Sequence, residues 1–199
     1  MSVPLSTGAV YAGVVALLLG LHLLVSWPGF TIQAVWLNRL GVTPATTLSQ
    51  WWRHLEAGLF HTTPGHILFN LALFTLAFPF AARAHDPLRT VLGAYWLGPF
   101  VVFGLHLVLV LPLAKLGVPY AVSALDRPLV GFSVIAYATT GMALAGLSLP
   151  WALGLGTVAV AFELTGGVLL NATGPFIFVY HLGGLAAGFA ARAFFRQPA

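Results

Sequence analysis

Long apolar runs alternate with short polar or helix-breaking segments along the chain. The first run, residues 8–27, carries no charge. It has the length of about 20 residues that an α-helix needs to cross a bilayer. It lacks a basic leader, so it reads as a retained helix and not as a cleaved signal. Residues 28–50 are mixed, with Trp36, Arg39, Pro44 and several threonines, and read as a long first loop partly folded against the membrane surface. Further apolar runs cover about 65–82, 91–113, 129–147, 151–170 and 176–195. The breaks between them are Arg83–Arg89, Lys115–Pro128, Ser148-Leu149-Pro150 and Asn171–Pro175. The predicted fold is therefore an all-α membrane protein. A single bundle of six transmembrane helices takes up residues 1–199, with no soluble appendage.

Composition supports this solvent. Of the 199 residues, 59% are hydrophobic and 6% charged, against about 25% charged in soluble domains. Twelve charges cannot cover a water-exposed globule, and a disordered chain needs the opposite balance. The net charge of +4 is too sparse and scattered for a nucleic-acid footprint, so the expected surroundings are the lipid bilayer and not nucleic acid. Without cysteine, disulfides, iron–sulfur clusters and thiol catalysis are excluded. In a six-span topology Arg83, Arg89, Arg192 and Arg196 lie with the termini, and Arg39, Arg53, Lys115 and Arg127 lie opposite. That tie leaves the orientation open on charge alone.

Polar groups inside the runs need a reason, because each is costly in hydrocarbon. His61, His66 and Asn70 lie near the start of the second run, Ser133 and Tyr137 near the start of the fourth, and His181 near the start of the sixth. Even-numbered spans cross in the same direction, so their first turns share one face of the membrane. Ser133, about five residues into its run, and His181, about six, fall roughly 8–9 Å below that face at 1.5 Å per residue. A serine, two histidines and an asparagine converging on one layer suit a nucleophile, a base and oxyanion donors. His66 and Asn70 share a helix face at a spacing of four. Gly131, two residues before Ser133, permits close approach, and Tyr137 lies one turn below, where it can pack on an imidazole. Gly184 and Gly188 form a small-xxx-small pair; contact there with the fourth span brings His181 toward Ser133. There is no His-Glu-x-x-His, and no two of the four acids share a helix face, so zinc and paired-carboxylate proteolysis are disfavoured. No acid presents itself as a third member, so a Ser–His dyad is expected. Glu163 and His106 fit no motif.

Three separated motifs, His61-x4-His66-x3-Asn70, Gly131-Phe132-Ser133 with Tyr137, and His181-x2-Gly184-x3-Gly188, resemble those of the rhomboid intramembrane serine proteases. The resemblance covers nearly the whole chain, in order and spacing. It implies Ser133 as nucleophile, His181 as general base, and His66, Asn70 and the Ser133 N–H at the oxyanion. It further implies that Trp52 and Arg53 belong to a structured first loop and that Tyr137 stacks beside His181. No metal or cofactor is implied. The implied substrates are single-span transmembrane proteins entering near span five. The implied location is the plasma membrane, with both termini cytoplasmic. Val134 departs from the small residue that the family usually places after the serine.

Other readings stand beside this one. Ser133 alone suits a back-bond to its own helix, His181 a packed core histidine, His61 a structural hydrogen bond, and Arg53 a loop organiser. A non-catalytic rhomboid-like protein that binds or escorts membrane clients is the alternative function. A small transporter would instead require polar groups to continue across the bilayer.

Overall fold

In a computed structural model, the chain is described over residues 6–83, 86–169 and 175–194, with the side chains of 166–169, 175, 193 and 194 left aside. His85, the break at 171–174, Arg196, and the ends of the last two runs at residues 170 and 195 lie outside these residues. Regular structure in the described part is helical. An antiparallel pairing of Val42 with Leu129 is the one bridge there.

Helices lie over all six predicted runs. α1 (Thr7–Ser26) comes first; the first loop then folds into two short helices, α2 (Ala34–Leu40) and α3 (Arg53–Ala57). α4 (Pro64–Ala81) follows. α5 (Pro87–Leu105) continues through a π-helical stretch, His106–Val110, into α6 (Leu111–Lys115). α7 (Pro119–Ala124) lies in the next loop, before α8 (Ser133–Leu144), α9 (Leu149–Leu169) and α10 (Pro175–Phe194). Thr7–Ser26, Pro64–Ala81 and Pro87–Lys115 are long and apolar enough to cross a membrane. The apolar parts of the last three, over 133–144, 149–165 and 176–192, are shorter.

Two of the runs differ in extent from the expectation, each with a local reason at its start. The third run starts at Pro87, four residues early, because Asp86 accepts the Arg89 N–H at 3.0 Å and proline suits the first helical position. The fourth is shorter at both ends. Leu129 exchanges two backbone hydrogen bonds with Val42, at 2.8 and 3.1 Å, and Gly131 adopts φ +145°. Neither conformation is helical, so Ser133 is the first residue of α8 and not the fifth.

α8 is the centre of the molecule. Every residue from Val134 to Ala143 is buried, with α4, α5, α9 and α10 packed around it. A helix enclosed on all sides must be apolar or small all round, and α8 is both. Its tightest contact is with α10. A Cβ on Gly184 would sit 2.7 Å from the Val134 carbonyl oxygen, one on Gly188 would run into the Ala138 backbone, and one on Gly141 into the Leu185 carbonyl. At the far end Arg192 folds inward and donates to Met142 O at 2.9 Å and Phe80 O at 3.4 Å. A cation there complements the C-terminal carbonyls of α8.

Gly188→Ala should therefore destabilise the fold by about 1–3 kcal/mol, the usual cost of overpacking. Gly13→Ala, at a position with nothing within 4 Å, should leave stability unchanged or slightly raised. Unfolding in mixed micelles measures both; a Gly188→Ala protein as stable as the parent contradicts the α8–α10 contact.

Candidate active site

A cavity of about 340 Å³ opens where α4, α8, α9 and α10 meet beneath the first loop. Its walls include Ser133 and Tyr137 of α8, His66 and Asn70 of α4, Glu163 of α9 and His181 of α10. The structure thus gathers five predicted site residues and one unassigned acid around one space.

Ser133 owes its position to the segment before it. The Gly131 N–H donates to Ala57 O at 2.9 Å, and the Phe132 N–H to His61 Nε2 at 3.3 Å. These bonds to the first loop keep residues 131–132 out of the helix. His61 is wholly enclosed. Burial, with His66 and His22 nearby, holds its imidazole well below the ordinary histidine range, so it stays neutral and accepts at Nε2. α8 then begins with no side-chain cap. α1, α4 and α5 are capped by Ser6, Thr63 and Asp86. The first N–H groups of α8 consequently keep their hydrogen-bonding capacity beside the cavity. Thr139 and Thr140 bond back to the carbonyls of Ile135 and Ala136, both at 2.9 Å. The Ser133 hydroxyl makes no such bond among the described residues.

His66 Nδ1 pairs with the Thr62 hydroxyl at 3.1 Å. A hydroxyl donating to Nδ1 leaves the proton on Nε2. The ring edge faces Gly131: a Cβ there would lie 2.9 Å from His66 Nε2 and 3.7 Å from Ser133 Oγ. Glycine is required at this point twice over, by its φ and by this space. Asn70 is buried, and its Nδ2 has no partner among the described residues.

His181 stacks on Tyr137, with ring centroids 4.5 Å apart and planes 7° from parallel. Its Nδ1 lies 2.5 Å from Glu163 Oε2, and the same oxygen accepts the Tyr137 hydroxyl at 2.8 Å. Glu163 matches no sequence motif, yet it stands directly behind His181. No hydrogen bond joins Ser133 to His181.

Trp52, Arg53, Gly184 and Gly188 lie outside this cluster. Arg53 donates to the carbonyls of Asn38 and Gly41, at 3.1 and 3.4 Å, and so ties α2 to α3. Trp52 is exposed beside Trp51. Gly184 and Gly188 serve packing, and Val134 is buried against Gly184. Three histidines not assigned from sequence are also interior. His22 of α1 is within electrostatic reach of His61 and His66. His106 Nδ1 bonds to Thr47 at 2.6 Å, and His54 packs on His106 and lines the cavity. Their signal was available, since every imidazole is conspicuous in a chain with so few polar residues.

Compared with protein-family models, curated proteins and solved structures, the chain matches none.

Burial pushes His54, in the first loop, from 6.5 down to about 4. Between those values the unfolded chain binds the proton and the folded chain does not, so stability falls as pH drops from 6.5 toward 4. Unfolding measured across that window should show the loss. His54→Phe, which can keep the packing against Phe103, should flatten part of the slope; an unchanged slope contradicts a buried neutral His54.

Proposed function

We propose that this protein is an intramembrane serine endopeptidase of the rhomboid type, with all six apolar helices crossing the bilayer. One observation carries the reading. Among the described residues, a serine with no side-chain hydrogen bond stands at the uncapped start of a buried helix and shares a cavity with His181, with His66 Nε2 and with an amide, Asn70 Nδ2, that has no partner there. A buried donor left unpaired is costly, and it is expected where a transient acceptor is to be held.

In this reading His181 Nε2 takes the proton from Ser133 Oγ as Oγ bonds to the scissile carbonyl carbon. The charge that develops on the carbonyl oxygen is met by the Ser133 N–H at the positive end of α8, by His66 Nε2–H and by Asn70. The tetrahedral intermediate collapses as His181 returns the proton to the leaving nitrogen, giving an acyl-enzyme. Water entering through the cavity then releases the acid by the same steps in reverse order. Every step is performed by side chains and backbone. The substrates are single-span membrane proteins, and the location is the plasma membrane with cytoplasmic termini; both follow from the motif resemblance.

Below Tyr137, Thr139 and Thr140 are satisfied within their own helix, and the neighbouring part of α4 is Phe74, Ala77, Phe78 and Ala81, all enclosed. Among the described residues this stretch holds no polar group open to a passing solute until Arg192, which bonds the Met142 and Phe80 carbonyls at the far end, and that disfavours a transport path.

Purified enzyme in liposomes with a model transmembrane substrate should cleave it, and Ser133→Ala should abolish cleavage. Asn70→Ala should lower kcat by about 10²–10³-fold. Equal cleavage by the parent and by Ser133→Ala rejects the proposal. A folded parent whose Ser133 resists a fluorophosphonate, but which still retains membrane clients, supports the binding alternative instead.

A further inference from the structure

We infer that Glu163 is a positioning residue for His181, so that the site works as a Ser133–His181–Glu163 relay and not as a dyad. The inference rests on the protease reading above and adds to it a group that the motifs do not contain.

Three observations point the same way. First, the contact is made by the ring nitrogen that does not act on serine in the proposed reaction. With Nδ1 at 2.5 Å from Glu163 Oε2, an anionic carboxylate fixes the proton on Nδ1 and leaves the Nε2 lone pair free to accept from Ser133. Second, Glu163 is itself held. The Tyr137 hydroxyl donates to the same oxygen at 2.8 Å, while the Tyr137 ring stacks on His181. One tyrosine thus sets both the plane of the imidazole and the place of its partner. Third, the acid is sheltered but not dry: Glu163 and His181 keep 16% and 14% side-chain exposure, both at the cavity. A carboxylate accepting two donors at the edge of a wet cavity is a tolerable ion; an unpaired one inside a span is not.

The proton arithmetic is simple. As Ser133 Oγ bonds to the carbonyl carbon, its proton moves to Nε2 and the ring becomes imidazolium. The Nδ1–H stays where it is and donates to Glu163, so that a neutral histidine beside a carboxylate becomes an ion pair. When Nε2 gives its proton to the leaving nitrogen, the pair reverts. No proton passes to Glu163, and no other reactant is needed. The other titratable groups facing this pair are Tyr137 from α8 and His66 from α4, the latter within electrostatic reach of His181.

Two measurements test the relay. The first is kinetic, in liposomes. Glu163→Gln should lower kcat at least tenfold, toward the roughly 10⁴-fold seen when a histidine loses its carboxylate and its tautomer in other serine proteases, with KM little changed. It should also move the acid limb of the kcat/KM profile to lower pH, because the imidazolium loses its counter-charge. Glu163→Asp keeps the charge at a longer reach, so it should retain the parent limb with an intermediate rate. The second is spectroscopic and independent of turnover. In ¹⁵N-histidine-labelled Ser133→Ala protein, the His181 Nδ1 proton should resonate far downfield and vanish on adding Glu163→Gln. The relay is overturned if Glu163→Gln keeps the parent kcat and acid limb. It is also overturned if Gln and Asp lose rate equally with unmoved profiles, or if the downfield proton is missing from the Glu163-containing protein. A parent that does not cleave, or a Ser133→Ala protein that does, sinks the protease reading instead and leaves the resonance to report on the bond alone.

Discussion

The approach of α8 to α10 at the level of the backbone is the contact on which the site depends. If these helices lie in lipid, as proposed, no hydrophobic drive pushes them together, and they associate where small residues allow main chains to touch. Gly184 and Gly188 present that surface on α10, and Gly141 answers from α8. His181 lies three and seven residues before these glycines, on the same helix face. The packing that seats the glycines therefore also delivers the imidazole over Tyr137. Any side chain at those positions would widen the interface, and the stack at 4.5 Å would open with it. Arg192 closes the other end of the same pair by donating to the Met142 carbonyl in the last turn of α8.

A second constraint is electrostatic. A chain with twelve charges in 199 residues can hold polar chemistry in its interior only if each group is neutral or matched. His61 meets this by staying neutral and accepting the Phe132 N–H. Glu163 meets it by accepting from both His181 and Tyr137. Asn70 and the first amides of α8 are neutral donors left open, which costs far less than an open charge. Under the proposed protease reading, such a site would create an ion pair for the duration of a reaction and dissolve it afterwards.

Much of this was legible in the sequence, and the part that was not has a physical reason. Apolar runs and their breaks locate the helices to within a few residues, because continuous apolar stretches ended by Pro, Gly and charged segments mark where buried helices start and stop. The crossing direction expected of even-numbered spans groups Ser133, His66, Asn70 and His181 on one level. The start of α8 was misplaced because the Val42–Leu129 pairing joins segments 87 positions apart, and hydrophobicity carries no trace of it. Glu163 was visible as an acid in an apolar run, but its role was not. Its partners are 18 and 26 residues away on other helices, and periodicity along one helix cannot say which neighbour its face will meet. His106 was isolated for the same reason until Thr47 appeared beside it.

The first loop belongs to the site by the same logic. A serine whose own N–H is to serve as an oxyanion donor must stand at the very start of its helix, since deeper amides are already bonded to carbonyls four residues back. The chain before it must then be kept from winding, although Val130, Phe132 and their neighbours are apolar and Pro128 is too far upstream to stop the helix alone. The acceptors that unwind it, Ala57 O and His61 Nε2, come from the loop between α1 and α4. They are accurate only if that loop is rigid. Tyr95 bonds Leu55 O at 2.9 Å, His106 holds Thr47, and Arg53 spans Asn38 and Gly41. Residues far from the cavity therefore govern whether the Ser133 amide is free. A loosened first loop would let α8 extend by a turn, and that turn would consume the free amides that the proposed oxyanion hole needs.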